Sequence, residues 1–344
     1  MVDREQPQRP AEGVNEATVN PPEAPAPVAP PRLAAPAPGP PPPEAPAYVY
    51  ALGRVEPRFP SLGVEKEFAQ VLGRGDNAGL TDRQAMKGAI SERQNRYLAR
   101  SVCWVFVIEG LDTYILVPRD PADLDLLVES FREDPRLDDL DAVIGVRRQI
   151  APPELCNGLA LPVVAFDQLY SFDRDSLIGS IPRPESVPQK NDARFRSAAG
   201  ELFDQLLQLA DNAGAIDDHR ALNYLTVRYP RIYAVTTEQH ERNFSFTGVE
   251  VRRSRLSGVR SIVDVIFSFR HRETDVVEKQ FVRVDVTEEF PFLVTRWVPT
   301  TNVERAGDRR AHGQGTRQRR GRGAGPAPAG APAWLRLRRA GRPR

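Results

Sequence analysis

Apolar and polar positions divide the chain into alternating stretches and helical stripes. Tyr48-Val49-Tyr50-Ala51-Leu52-Gly53 reads as an opening strand, and a helical stretch follows near Val64 to Leu72. Thr81-Asp82-Arg83-Gln84 has the form of a capping box, in which hydroxyl and amide side chains satisfy free N–H groups at a helix start. Ala85, Met86, Ala89, Ile90, Tyr97 and Leu98 continue at largely helical spacing, which predicts a helix to about Arg100. Val102 to Ile108 and Thr113 to Val117, parted by Glu109-Gly110-Leu111-Asp112, suit a β-hairpin. Asp120 and Pro121 then open a helix that aligns Leu124, Leu127, Val128 and Phe131 on one face. Asp141 to Ile150 and Leu161 to Phe166 predict two further strands, and a short helical stretch lies near Ser176.

Three prolines between Ile181 and Pro188 mark a linker between two halves. Beyond it, Phe195, Ala198, Ala199, Leu202, Phe203, Leu206, Leu207, Leu209 and Ala210 form a wide helical stripe. Asp217 caps a second helix, with Leu222, Tyr224, Leu225 and Tyr229, that stops before Pro230. Three strands complete this half. Val259, Val263, Val265, Phe267 and Phe269 line one face of a strand. After a turn at His271 to Asp275, Val282, Val284 and Val286 line the next. The fold class is α+β. The first half has the strand, helix, strand, strand, helix, strand order of a split βαβ, ferredoxin-like unit if the helix near residue 65 is an insertion. The second is a helix pair packed on a mainly antiparallel sheet.

Composition sets the boundaries. Residues 1–47 hold fifteen of the 33 prolines and are predicted to be a disordered Pro/Ala-rich arm. The first α+β half runs over 48–189 and the second over 190–304. Residues 305–344 form an Arg/Gly/Ala/Pro-rich tail, also predicted to be disordered, with twelve arginines against Asp308. Subtracting that +11 from the chain's +1 leaves −10 for residues 1–304, so the body is a poor phosphate binder and nucleic-acid contact is expected, if anywhere, only through the tail. No run approaches the ~18 to 20 apolar residues of a membrane span. The absence of a signal-like start and the presence of only two cysteines, Cys103 and Cys156, far apart in sequence, point to a reduced, cytoplasmic protein.

Candidate chemistry is thin. His219, His240, His271 and His312 lack triad surroundings, and no Cys or His pair has zinc-ligand spacing. Leu72-Gly73-Arg74-Gly75 has no following Gly-Lys-Ser/Thr and reads as a turn. Asp138-Asp139, Asp217-Asp218 and Glu288-Glu289 read as solvated or capping charge. No cofactor, metal or catalytic residue is expected. Trp104, Trp297, Tyr48 and Tyr50 are candidates for a peptide groove, against core packing as the simpler role. Tyr48 and Tyr50 are the tentative peptide-binding residues, on a strand edge able to recruit a peptide as an added strand.

Tyr48-Val49-Tyr50-Ala51-Leu52-Gly53-Arg54-Val55, Asn157-Gly158-Leu159-Ala160-Leu161-Pro162-Val163-Val164 and Arg220-Ala221-Leu222-Asn223-Tyr224 carry a family resemblance. Asp264-Val265-Ile266-Phe267-Ser268-Phe269, Phe281-Val282-Arg283-Val284-Asp285-Val286 and Pro291 extend it in order. Together they resemble the C-terminal domain of PatG-type cyanobactin maturation proteases. The resemblance implies a place in pathways that cut, modify and cyclise ribosomally made peptides. Proteolysis and macrocyclisation are not expected to carry over, because the sequence holds no subtilisin-like Asp, His-Gly-Thr and Gly-Thr-Ser set, and the domain itself supplies no catalytic residue to transfer. The expectation is a non-catalytic accessory or recognition module whose partner is a separate subtilisin-like protease or a precursor peptide. The competing readings are a peptide-modifying enzyme of unfamiliar type and an arginine-tailed nucleic-acid binder.

Overall fold

Strand β1 (Ala47–Arg58) is buried on both faces, which is why its residues are almost continuously apolar. Val49, Ala51 and Val55 enter one core while Tyr50 and Leu52 enter another. The structure, a computed structural model, describes residues 47–73, 79–183, 191–208 and 211–299. The proline-rich arm up to residue 46, the arginine-rich tail, His312 and most of the proline linker lie outside the described residues.

After β1 come α1 (Leu62–Leu72), capped by Ser61, and α2 (Asp82–Ser91), whose capping box at Thr81 and Gln84 is present as predicted. The helix expected to run to Arg100 is broken by a 3₁₀ turn at Arg93–Asn95 and resumes as α3 (Arg96–Ser101). β2 (Cys103–Ile108) and β3 (Leu111–Pro118) form the hairpin. Asp120 accepts the Ala122 N–H ahead of α4 (Leu124–Ser130). β4 (Asp139–Ile150) and β5 (Pro162–Asp173) follow.

The ferredoxin-like arrangement is corrected at this point. β5 pairs parallel with β3 and antiparallel with β4, and β4 returns to β1, closing a five-stranded barrel of order β1-β2-β3-β5-β4. Closure depends on β1 changing partners, from β4 along Ala47 to Gly53 to β2 along Arg54 to Arg58. The change falls at Gly53, where a Cβ would sit 2.4 Å from the Val107 carbonyl oxygen. Where β1 has left β4, the Val55 N–H is taken instead by the Asp141 carboxylate at 2.8 Å.

The expectation of two separate thiols is also corrected. The backbones of Cys103, on β2, and Cys156, in the 151–161 segment, come within a Cα separation of 5.8 Å, which places the two side chains at disulfide spacing. Both are buried with Val105, Ile115 and Ala151.

The second lobe contains α5 (Arg174–Ser180), α6 (Asp192–Leu207), α7 (Asp217–Arg228) and α8 (Arg231–Glu241). The predicted helix pair is thus joined by a third helix, α8. Its antiparallel sheet has four strands rather than three: β6 (Phe244–Arg253), β7 (Ile262–His271), β8 (Val277–Asp285) and β9 (Phe292–Pro299), in chain order. Val263, Val265, Phe267, Phe269, Val282 and Val284 share a core with Phe195, Leu202, Phe203 and Leu206 of α6. Val259, expected on the same strand face, is instead fully exposed in the β6–β7 loop.

Candidate functional site

Because β1 pairs with β2 only along its second half, the first half of that edge would be bare. The second lobe covers it. Gly214 accepts the Tyr50 N–H at 2.9 Å, and the Asn223 amide on α7 donates to the Tyr50 carbonyl at 2.8 Å. Asn212 and Asn223 exchange two further bonds, at 2.7 and 3.1 Å. Gly214 sits at φ +69° with its Cα so close that a Cβ would be 2.2 Å from the Tyr50 oxygen. Beside this seam Tyr50, Leu52, Ala142, Ile144 and Val227 form an apolar layer between the lobes.

Tyr50, expected on an exposed edge, is therefore 1% exposed and packed edge-on against Tyr224. Burial drives its phenol far above its usual range, and its hydroxyl has no hydrogen-bond partner among the described residues. The edge that was to recruit a peptide is already occupied by this chain. Tyr48 is half-buried; its hydroxyl donates to Glu288 at 3.1 Å and its ring lies 5.2 Å below the Arg220 guanidinium. Trp104 is in the barrel core, donating to Ala99, and Trp297 packs on Phe267 in the second core.

Arg220 organises the rest of the seam. Only 3% exposed, it donates to the Val286 carbonyl at 2.7 Å and to that of Glu288, pairs with Asp217, and so fixes the β8–β9 link. On the other side of that link Glu289 accepts from Arg119, which follows β3, at 2.9 Å. Burial raises the Glu289 carboxyl despite Arg119. Arg220→Met keeps the stem but removes the charged donors, so urea denaturation is expected to show a loss of about 2 to 3 kcal/mol. An unchanged midpoint would contradict the clamp.

Next to the seam opens a groove of about 280 Å³. Its walls are Leu52 to Arg54 of β1, Val107 to Gly110 of the hairpin, Leu137, Asp139 and Leu140 from the start of β4, and Asp204, Leu207, Gln208 and Asn212 of the second lobe. Two of its three carboxylates are committed, and the third, Glu109, lies exposed on the hairpin turn. Asp204 is held bidentately by Arg174, two bonds of 2.7 Å, and Asp139 accepts the Arg136 N–H and pairs with Arg132. Apart from the exposed Glu109, the groove offers shape, apolar contact and amide hydrogen bonds. Sequence reasoning missed it because its residues come from five separate segments. The visible sign was Leu137, an apolar residue among charges, which is 96% exposed.

The other candidates separate. His271 accepts N–H groups of Glu273 and Thr274 in its turn, and His240 contacts Arg272. His219 is half-buried on α7, where burial lowers its pKa. Among the described residues no His, Cys, Asp and Glu grouping can hold a metal ion, and no helix is long and apolar enough to cross a membrane.

A strand barrel and a helix-backed sheet, joined through a polar seam, define a two-lobed α+β domain. Residues 189–299 match the family described as PatG C-terminal. The whole fold is similar to a solved structure titled "PatG Domain of Unknown Function", with TM-score 0.60 and 19% identity over 74% of this chain and 98% of that one. The chain carries a PatG C-terminal-like domain. No curated protein matches it.

Proposed function

We propose that the chain is a non-catalytic accessory or recognition module for cyanobactin-like maturation of ribosomally made peptides, working with a separate subtilisin-like protease. The observation that carries this reading is the inter-lobe groove. Its apolar walls at Leu137, Leu140 and Leu207 suit the side chains of an extended peptide, while the exposed Gln208 suits its backbone amides. Its two aspartates are already neutralised by arginines, which leaves the exposed Glu109 as its one uncommitted carboxylate among the described residues and favours holding a peptide over reacting with it. A cytoplasmic setting belongs to the same reading. There glutathione would keep Cys103 and Cys156 as adjacent buried thiols, and a bridge found in protein isolated rapidly with thiol trapping would count against that location.

Screening the full-length chain against a randomised peptide display library is expected to enrich a peptide that binds in the micromolar range. Leu137→Glu should weaken it at least tenfold without changing thermal stability, because Leu137 is 96% exposed. No enriched sequence, or an enriched peptide indifferent to both Leu137→Glu and Gln208→Arg, would defeat the proposal.

A further inference from the structure

Two edges bound the second sheet, and they differ. β9 is irregular, with two register shifts against β8, whereas β6 pairs regularly with β7 from Gly248 to Arg253. The Ser254 N–H donates to the Ile262 carbonyl at 2.8 Å, which sets the alternation of the antiparallel ladder. Backbone groups of Glu250 and Arg252 therefore face β7, and those of Val249, Val251 and Arg253 face away. Among the described residues no backbone group meets them on that side.

The end of this edge is basic. Arg252, Arg253 and Arg255 are exposed and have no ion-pair partner among the described residues, while Arg260, at the far end of the loop, pairs with Asp285. Leu256 and Val259 project from the same loop, 57% and 103% exposed. The three arginines concentrate positive charge at one end of the edge, in a body that carries −10. They also oppose pairing with the identical edge of a second copy.

We infer that the β6 edge and its arginine loop form a docking surface for an acidic, extended peptide segment that adds as a fifth strand. This rests on the recognition-module reading and gives it a second contact surface besides the groove. The ladder supplies both N–H donors and carbonyl acceptors, which a peptide backbone satisfies and a phosphodiester backbone cannot. Arg252, Arg253 and Arg255 select acidic side chains, and Leu256 and Val259 supply apolar contact.

The test uses the full-length chain and a fluorescein-labelled seven-residue peptide alternating glutamate and valine, followed by polarisation. Saturable micromolar binding is expected. It should fall at least tenfold in Arg252→Glu/Arg253→Glu/Arg255→Glu, whose exposed positions leave folding intact, as the melting temperature will show. In one of the two phases, methylating the peptide's alternate amide nitrogens should cost at least tenfold, because that phase faces β6. Full affinity in both methylated phases would reduce the surface to charge attraction and overturn the inference, as would displacement by oligothymidylate at lower concentration than by unlabelled peptide. A library peptide that needs Leu137, combined with no acidic-peptide binding, would remove this surface and leave the groove proposal standing. Acidic-peptide binding that survives Leu137→Glu supports a surface separate from the groove.

Discussion

Replacing Gly214 by alanine is expected to destabilise the protein by about 3 to 5 kcal/mol, lowering the melting temperature by roughly 10 to 15 °C. Two costs add. The residue holds φ +69°, which a side chain with a Cβ adopts only under strain, and that Cβ would lie 2.2 Å from the Tyr50 oxygen and 2.6 Å from the Ala51 Cα. Neither neighbour is the end of a flexible side chain, so the loop must withdraw, and the bond from Tyr50 to Gly214 goes with it. Gly110→Ala is the control: it also has positive φ, +83°, but nothing lies within 4 Å of its would-be Cβ. It should cost only about 1 kcal/mol. Differential scanning calorimetry of both variants decides the matter, and equal losses would mean that backbone strain alone, not the seam, explains Gly214.

The second large effect concerns Asp141, fully buried where β1 leaves β4. It accepts the Val55 N–H at 2.8 Å and the Ser171 hydroxyl at 2.7 Å, and pairs with Arg132 at 3.2 Å. Asp141→Ala removes all three and is expected to cost about 3 kcal/mol, since it orphans the buried Val55 donor and takes from Arg132 one of its two carboxylate partners, Asp139 being the other. Burial outweighs those partners and pushes the carboxyl up to about 6 from an ordinary 3.8. The folded state then binds this proton more tightly than the unfolded one, so its stabilising effect is present below about pH 4 and lost as pH rises toward 6. The full span is at most about 3 kcal/mol. Other carboxylates act oppositely; Glu278, bonded to Arg242, is lowered. The comparison is therefore between wild type and Asp141→Asn in urea at pH 4, 5, 6 and 7. Wild type should lose stability relative to the variant across that window, and parallel profiles would refute the assignment.

How much of this was legible in the sequence varies by element. The capping box at Thr81, the cap at Asp120, the β2–β3 hairpin and the face of Val263 to Phe269 follow from local rules, because each depends on neighbours within a few residues. The family resemblance also came from contiguous motifs, and residues 189–299 match that family. β5 was recognised as a strand, yet its insertion between β3 and β4 was not, since apolar runs state burial without naming a partner. Tyr50 illustrates the same limit: alternation told that the strand was apolar, while Gly214 and Asn223, more than 160 residues away, decided that its edge was covered. The groove was invisible for the same reason.

Periodicity, caps and composition by themselves determined the α+β class, the place of most helices and strands, and the division into an acidic body with a basic C-terminal segment. These are short-range or additive properties, read residue by residue. Barrel closure, the pairing of Cys103 with Cys156, the clamp of Arg220 on the β8–β9 link and the open edge of β6 were decided only by tertiary structure. Each depends on which distant segment supplies the missing hydrogen bond or apolar face, and many sequences with the same local pattern could satisfy those groups differently.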